Sequence, residues 1–174
     1  MKFDRCGALA LFVVLACGSG ARAFFQERTP VSEPMLRGSA LEPLPLGSIR
    51  PQGWLKEQLR IQADGLSGHL DEFWPDIKNS AWFGGTAEGW ERVPYWLDGL
   101  VPLAFVADDP VLKAKVRNAI DYILAHQQAD GWLGPVGDSQ KHKAYDVWPL
   151  FPLFKAMVQY QQATGDPKIG RAHV

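Results

Sequence analysis

Cysteine, histidine at ligand spacing, runs of one charge and long apolar stretches are all scarce in this chain of 174 residues. The two cysteines, Cys6 and Cys17, both precede Phe24, so everything after it is without a disulfide, a thiol nucleophile or a thiolate ligand. His69 and His142 have no companion at metal-ligand spacing, and no His-x-x-x-His or carboxylate triad occurs, so this stretch is not expected to hold a metal. A net charge of −1 with no Lys/Arg run excludes a polyanion-binding stripe, and nucleic acid is not an expected partner. The one continuous apolar run, Cys6 to Gly20, is too short and too rich in glycine to make a stable membrane span.

That run has another reading. Lys2 and Arg5 make a positive start, and Ala21-Arg22-Ala23 offers a small-residue cleavage site before Phe24. Residues 1–23 are read as a secretory signal peptide, which implies a secreted or periplasmic protein. The competing readings are an uncleaved anchor, or lipid attachment at Cys17, for which Leu15 is a bulky neighbour. Removing residues 1–23 leaves 15 basic and 18 acidic residues, a net charge of −3. At the other end, Ile169-Gly170-Arg171-Ala172-His173-Val174 matches the translation of a common sequencing-adapter read-through. Native sequence is therefore expected to stop near Lys168, in a truncated gene.

What is present is helical in period. Residues 24–47 hold Pro30, Pro34, Pro43 and Pro45 with no such period, and are expected as an extended arm. A first helix is expected from Ser48 or Arg50, with Pro51 at its first position and an apolar face of Trp54, Leu55, Leu59, Ile61 and Leu66. Pro94 to Ala107 is apolar nearly all round, so as a helix it must be buried, with a kink expected at Pro102. Asp109 and Pro110 form a cap-and-start pair for an amphipathic helix from Val111 to Gln128. Another buried helix is expected from Tyr145 to Thr164, with Gly165 as left-handed cap. Asp166-Pro167 then repeats Asp109-Pro110 at a distance of 57 residues. Buried helices alternating with half-exposed ones, short turns at one end and long loops at the other, predict an all-α fold: an incomplete (α/α)6 toroid over residues 48–168.

The two long loops, Ala81–Arg92 and Gly131–Tyr145, are expected on one rim. They and the residues just after them carry Trp82, Glu88, Trp90, Glu91, Arg92, Trp132, Asp138, Lys141, His142, Tyr145, Asp146 and Trp148. Indole and phenol faces stack on the C–H face of a sugar ring, and carboxylates accept from its hydroxyls. Paired acids can also hydrolyse glycosides. The plainer account is that the rings plug the core, since Trp is costly to expose. Trp82, Trp132, His142, Tyr145, Asp146 and Trp148 are the expected carbohydrate-binding set. Asp98, one acid in an apolar helix, must either bond to a Trp N–H or backbone group, or face a wet cavity as a ligand group. His126 is expected to bond the last carbonyls of its helix.

Four stretches carry a resemblance. Pro45-Leu46-Gly47-Ser48-Ile49-Arg50-Pro51-Gln52-Gly53-Trp54-Leu55 resembles the N-terminal entry of glycoside hydrolase family 127, whose characterised members include β-L-arabinofuranosidases. Tyr95-Trp96-Leu97-Asp98-Gly99-Leu100 is similar to an inner-helix motif of that family. Gln127-Gln128-Ala129-Asp130-Gly131-Trp132-Leu133 is similar to one of its turns, and Ala163-Thr164-Gly165 to one of its helix ends. The resemblance implies an (α/α)6 catalytic barrel acting on plant-type glycans, with a zinc-held Cys thiolate as nucleophile and a Glu as acid/base. None of these can be placed on a residue of this chain, so no catalytic residue and no cofactor is assigned to it. Phe151-Pro152 stands where the family carries Gly-His, which departs from arabinofuranosidase specificity. The parent is thus expected to be a glycoside hydrolase. The alternative is a non-catalytic glycan-binding or helical interaction protein. The isolated chain, with open apolar flanks, is expected to be inactive and to lack a sharp cooperative melt.

Overall fold

The computed structural model describes residues 40–137 and 145–171, and its compact unit begins at Leu41. The signal peptide, most of the Pro-rich arm, Asp138, Lys141, His142 and residues 172–174 lie outside the described residues. Six α-helices follow in order: α1 (Gly53–Asp64), α2 (Leu66–Phe73), α3 (Pro75–Lys78), α4 (Arg92–Val106), α5 (Pro110–Ala125) and α6 (Leu150–Thr164). Two 3₁₀ turns, Ala81–Phe83 and Ile169–Arg171, complete the helical elements. No strand occurs among the described residues, only an isolated bridge between Ser80 and Ala87. The fold is all-α, as its 3.6-residue periodicity requires.

α4 is the centre, and each of the other five α-helices packs against it. Val93, Pro94, Trp96, Leu97, Leu100, Val101, Leu103 and Ala104 are buried along it. Fully burying one such side chain contributes about 1.5–3 kcal/mol. Burial is not complete around the helix, however: Tyr95 and Gly99 are exposed, so α4 keeps one open stripe. The helix runs unbroken from Arg92 to Val106 across Pro102.

α5 returns beside α4 after a reversal at Ala107–Asp109, in which Asp108 takes a left-handed φ of 58° and pairs with Arg50 and Lys113. Asp109 Oδ1 accepts from Val111 N at 2.8 Å and Leu112 N at 2.9 Å, and Pro110 opens the helix, as its sequence requires. Leu112, Val116, Ala119, Ile120 and Ile123 form the buried face. An Asp109→Ala change should cost about 1 kcal/mol. Amide exchange at Val111 and Leu112 should then quicken roughly fivefold, and unchanged exchange there would show that the cap carries no weight.

α6 runs parallel to α4. Trp148 meets Glu91 just before the two helices start, Lys155 meets Asp98 midway, and Tyr160 meets Phe105 near their ends. The first two pairs are each 57 residues apart, the spacing of the two Asp-Pro turns. Gly165 closes α6 with φ 70°, as expected.

Several boundaries differ from the sequence expectation. α1 starts at Gly53, not at Ser48 or Arg50, because Arg50 is used elsewhere. Its Nη1 donates to Phe105 O at 2.7 Å, at the end of α4, while Gln52 stays extended. The face of α1 also turns otherwise: Ala63 and half-buried Leu59 meet the core, whereas Trp54 is 77% exposed and Leu55, Ile61 and Leu66 are open as well. α6 begins at Leu150 rather than Tyr145, since Tyr145–Pro149 is taken up in turns anchored by Asp146. Asp166 caps a turn, accepting from Lys168 N at 2.9 Å, ahead of a 3₁₀ segment in which Ile169 is buried. Among the described residues, no helix is long and apolar enough to cross a membrane.

Candidate functional site

The rim is built from residue 80 upward. Ser80 is fully buried; its hydroxyl donates to Glu88 O at 2.5 Å and accepts from Trp82 N at 3.3 Å. Ala87 N donates to Asn79 O at 2.8 Å, which closes the loop on itself. The loop then swings into α4 through Glu88, whose carboxylate accepts from Glu91 N at 2.8 Å and Arg92 N at 3.3 Å. This side chain supplies partners for the first orphan amides of the helix and sets a negative charge at its positive end.

Trp82 belongs to the floor of the rim. Its ring is 3% exposed and its Nε1 donates to Trp90 O at 2.9 Å. Gly134, at φ 94°, lies over it, and a Cβ there would fall 2.2 Å from the ring carbon Cζ3. Trp82, expected in the carbohydrate-binding set, thus lies covered beneath the rim, and only glycine lets the second loop come that close.

The second loop starts with a closed turn. Trp132 N donates to Asp130 Oδ1 at 3.0 Å, Gln128 N to Trp132 O at 2.8 Å, and Gln127 Nε2 to Gly131 O at 2.7 Å. Leu133 drops into the core behind it. The Trp132 and Tyr145 rings meet edge to face, centroids 5.1 Å apart at 88°. Asp130 accepts a hydrogen bond from the Tyr145 hydroxyl, and together with its charge this holds the phenol above the ordinary tyrosine value of 10.0. A raised folded value means the bond's contribution is complete below pH 10 and fades as pH climbs through Tyr145's own titration. An ultraviolet alkaline titration should find a late-ionising tyrosine that Asp130→Asn moves back towards the ordinary range. No late tyrosine in the parent chain would contradict the contact.

Two indoles and two acids then join the segments reciprocally. Trp90 Nε1 donates to Asp146 Oδ2 at 3.1 Å, and Trp148 Nε1 donates to Glu91 Oε2 at 3.0 Å. Asp146 Oδ1 also accepts from Trp148 N at 3.0 Å. Asp146 thus turns its carboxylate to Trp90 and to backbone, while Trp148 leaves half its surface (50%) and Tyr145 a similar share to solvent. Of the expected set, Trp132, Tyr145, Asp146 and Trp148 come together, Trp82 lies beneath, and His142 is outside the described residues.

Asp98 takes a third course that the sequence reading did not contain. Lys155 Nζ lies 3.0 Å from both its carboxylate oxygens and hydrogen-bonds one of them, so its partner is neither an indole nor backbone. The Trp96 indole, next but one, donates to Ser67 O instead. His126 does bond the end of its helix, Nδ1 to Tyr122 O at 2.8 Å, and stacks on the Tyr122 ring. Among the described residues no three His, Cys, Asp or Glu side chains gather where they could hold a metal ion, so the zinc implied by the resemblance has no fit here. No protein-family model, curated protein or solved structure matches the chain.

Proposed function

We propose that the rim is the carbohydrate-binding wall of a secreted or periplasmic glycoside hydrolase of the kind resembled by the Pro45–Leu55 and Gln127–Leu133 motifs, acting on plant-type glycans. The parallel pair α4 and α6, with α5 returning beside α4, suits one and a half repeats of an (α/α)6 barrel. The observation that carries the reading is the Trp148 ring. It is half-exposed, yet its N–H is tied to Glu91. An indole held at one orientation beside polar groups presents a flat apolar plate to a sugar at low entropic cost.

The rim acids favour a second reading, glycan binding without catalysis by this chain. Glu88, Glu91, Asp130 and Asp146 each accept hydrogen bonds from indole or backbone groups, which suits supports more than a general acid or base. Fold alone does not separate the two, since related toroids serve several chemistries. Titrating the chain's tryptophan fluorescence with arabinan-derived oligosaccharides is the test. A saturable change supports carbohydrate binding, and a flat response into the millimolar range contradicts it. Turnover of an aryl arabinofuranoside by this chain would overturn the assignment of its acids as supports.

A further inference from the structure

Lys115 is a strut from α5 to α2. Its Nζ donates to Gly68 O at 2.7 Å, Asp71 Oδ1 at 2.7 Å and Glu72 Oε1 at 3.3 Å. Those contacts use all three N–H donors of the ammonium group. Beside the strut, between α5 and the α2–α3 segment, lies an open cleft of about 540 Å³. Small-molecule sites run from roughly 300 to 1,000 Å³. The α5 wall is a single stripe of the helix, Val111, Ala114, Asn118 and Tyr122, spaced by three and four residues. Ala114 and Ala119 are the smallest side chains on that wall and leave the cleft its depth.

The floor is apolar and held in place. Ile77, Trp96 and Ala119 line it and are buried. The Trp96 indole is fixed by its bond to Ser67 O at 3.0 Å. Phe83 meets the Tyr122 ring edge to face, centroids 6.0 Å apart at 80°, and His126 stacks on Tyr122 at 3.9 Å. Gly84, at φ 76°, lets this turn come down on Tyr122, since a Cβ there would fall 2.5 Å from the phenol oxygen. Trp82 and Phe83 are thus consecutive residues serving different places, one beneath Gly134 and the other at this cleft.

The polar groups of the lining divide in two. Asp71, its carboxylate, is already paired with Lys115. Among the described residues, the Lys78 ammonium, the Asn118 amide and the Tyr122 hydroxyl have neither a hydrogen-bond nor an ion-pair partner. The cleft therefore offers a flat apolar floor, one unpaired cation and two further hydrogen-bonding groups. An inorganic anion would gain nothing from the floor, and an organic cation would meet Lys78.

We infer that this cleft is a binding site, separate from the rim, for a small aromatic monocarboxylate, its ring on the apolar floor and its carboxylate bonded by Lys78.

Calorimetric titration of the full chain with naphthoate, neutral naphthamide, cationic naphthylmethylamine and inorganic phosphate tests it. Naphthoate should bind saturably and about fivefold more tightly than naphthamide, the upper end for an exposed ion pair. Naphthylmethylamine should bind more weakly than naphthamide, and phosphate should give no measurable heat. Lys78→Met, at an exposed position, should bring naphthoate down to the affinity of naphthamide and leave naphthamide unchanged. Ala114→Trp, also at an exposed position, should fill the cleft and remove binding of both. Naphthoate binding no tighter than naphthamide, or undiminished in Ala114→Trp, overturns the inference. Phosphate binding as tight as naphthoate overturns the aromatic assignment. A dimer of the parent chain that Ala114→Trp disperses would make the occupant a second copy of this chain and overturn the small-molecule site.

Discussion

Replacing Trp82 with alanine should strip hydrogen-exchange protection from the whole rim, from the 3₁₀ turn at Ala81–Phe83 to Leu133. The ring sits beneath the second loop, against Gly134, and its N–H holds the Trp90 carbonyl at 2.9 Å. Truncating a buried Trp costs about 3–5 kcal/mol through lost transfer energy and an unfilled cavity. Each 1.4 kcal/mol is a factor of ten in an equilibrium, so local opening should become roughly a hundredfold to several thousandfold more frequent. The effect should fade towards α5, whose amphipathic face is organised around Val116, Ile120 and Ile123. Exchange compared amide by amide in the two proteins checks this. Equal protection at Trp82's neighbours would mean that the ring is not what joins the loops. Gly134→Ala should act in the same direction from the other side, since it adds both a clash and an unfavourable positive φ.

Trp148→Ala should have the largest effect on ligand binding, at little cost to the core. The ring is half-exposed, so its removal leaves no cavity, and the Glu91 carboxylate it frees is close enough to the surface to be hydrated. An aromatic anchor at the centre of a binding surface typically carries 2 kcal/mol or more, which is about 30-fold in affinity. Arabino-oligosaccharide affinity should fall by at least that factor while helicity stays that of the parent chain. Trp148→Phe, which keeps a ring but loses the bond to Glu91, should fall between the two. Undiminished affinity in Trp148→Ala would move the ligand away from this ring.

Much of the helical frame was legible because it depends on local rules. The Asp109-Pro110 cap, the buried face of α5 and the Gly165 stop are set by side chains within four residues of where they act. The parallel run of α4 and α6 was legible only as an echo, the 57-residue distance between two Asp-Pro turns. The start of α1 was not legible, because it is decided by Arg50 reaching Phe105 O across 55 residues. The exposure of Trp54 and Ile61 was hidden for the same reason: periodicity names an apolar face and does not say what lies against it.

At the candidate site, composition draws attention to both loops and cannot rank their residues. Trp82 and Trp148 are the same residue type on the same rim, yet one lies under a glycine and the other at the surface. The separation between floor and face comes from Gly134, whose role depends on φ and a close approach. The partners of Asp98 and Asp146, Lys155 and Trp90, are 57 and 56 residues away. Sequence spacing did contain a signal for the first, since Asp98 and Lys155 are separated by the distance of the Asp-Pro echo. Tyr95 and Phe151 fall in helices whose sequence is apolar nearly all round, yet both are exposed, which periodicity alone does not show.

The central claim is that the rim binds a carbohydrate through Trp148 and its neighbours while Trp82 stays beneath. The chain's seven tryptophans give seven indole N–H resonances in a nitrogen-labelled sample. On adding an arabino-oligosaccharide, the Trp148 and Trp132 resonances, assigned by substitution, should move together in a saturable way, and that of Trp82 should move least among the rim indoles. Saturable shifts confined to Trp54 or Trp74, or none at any indole, would contradict it.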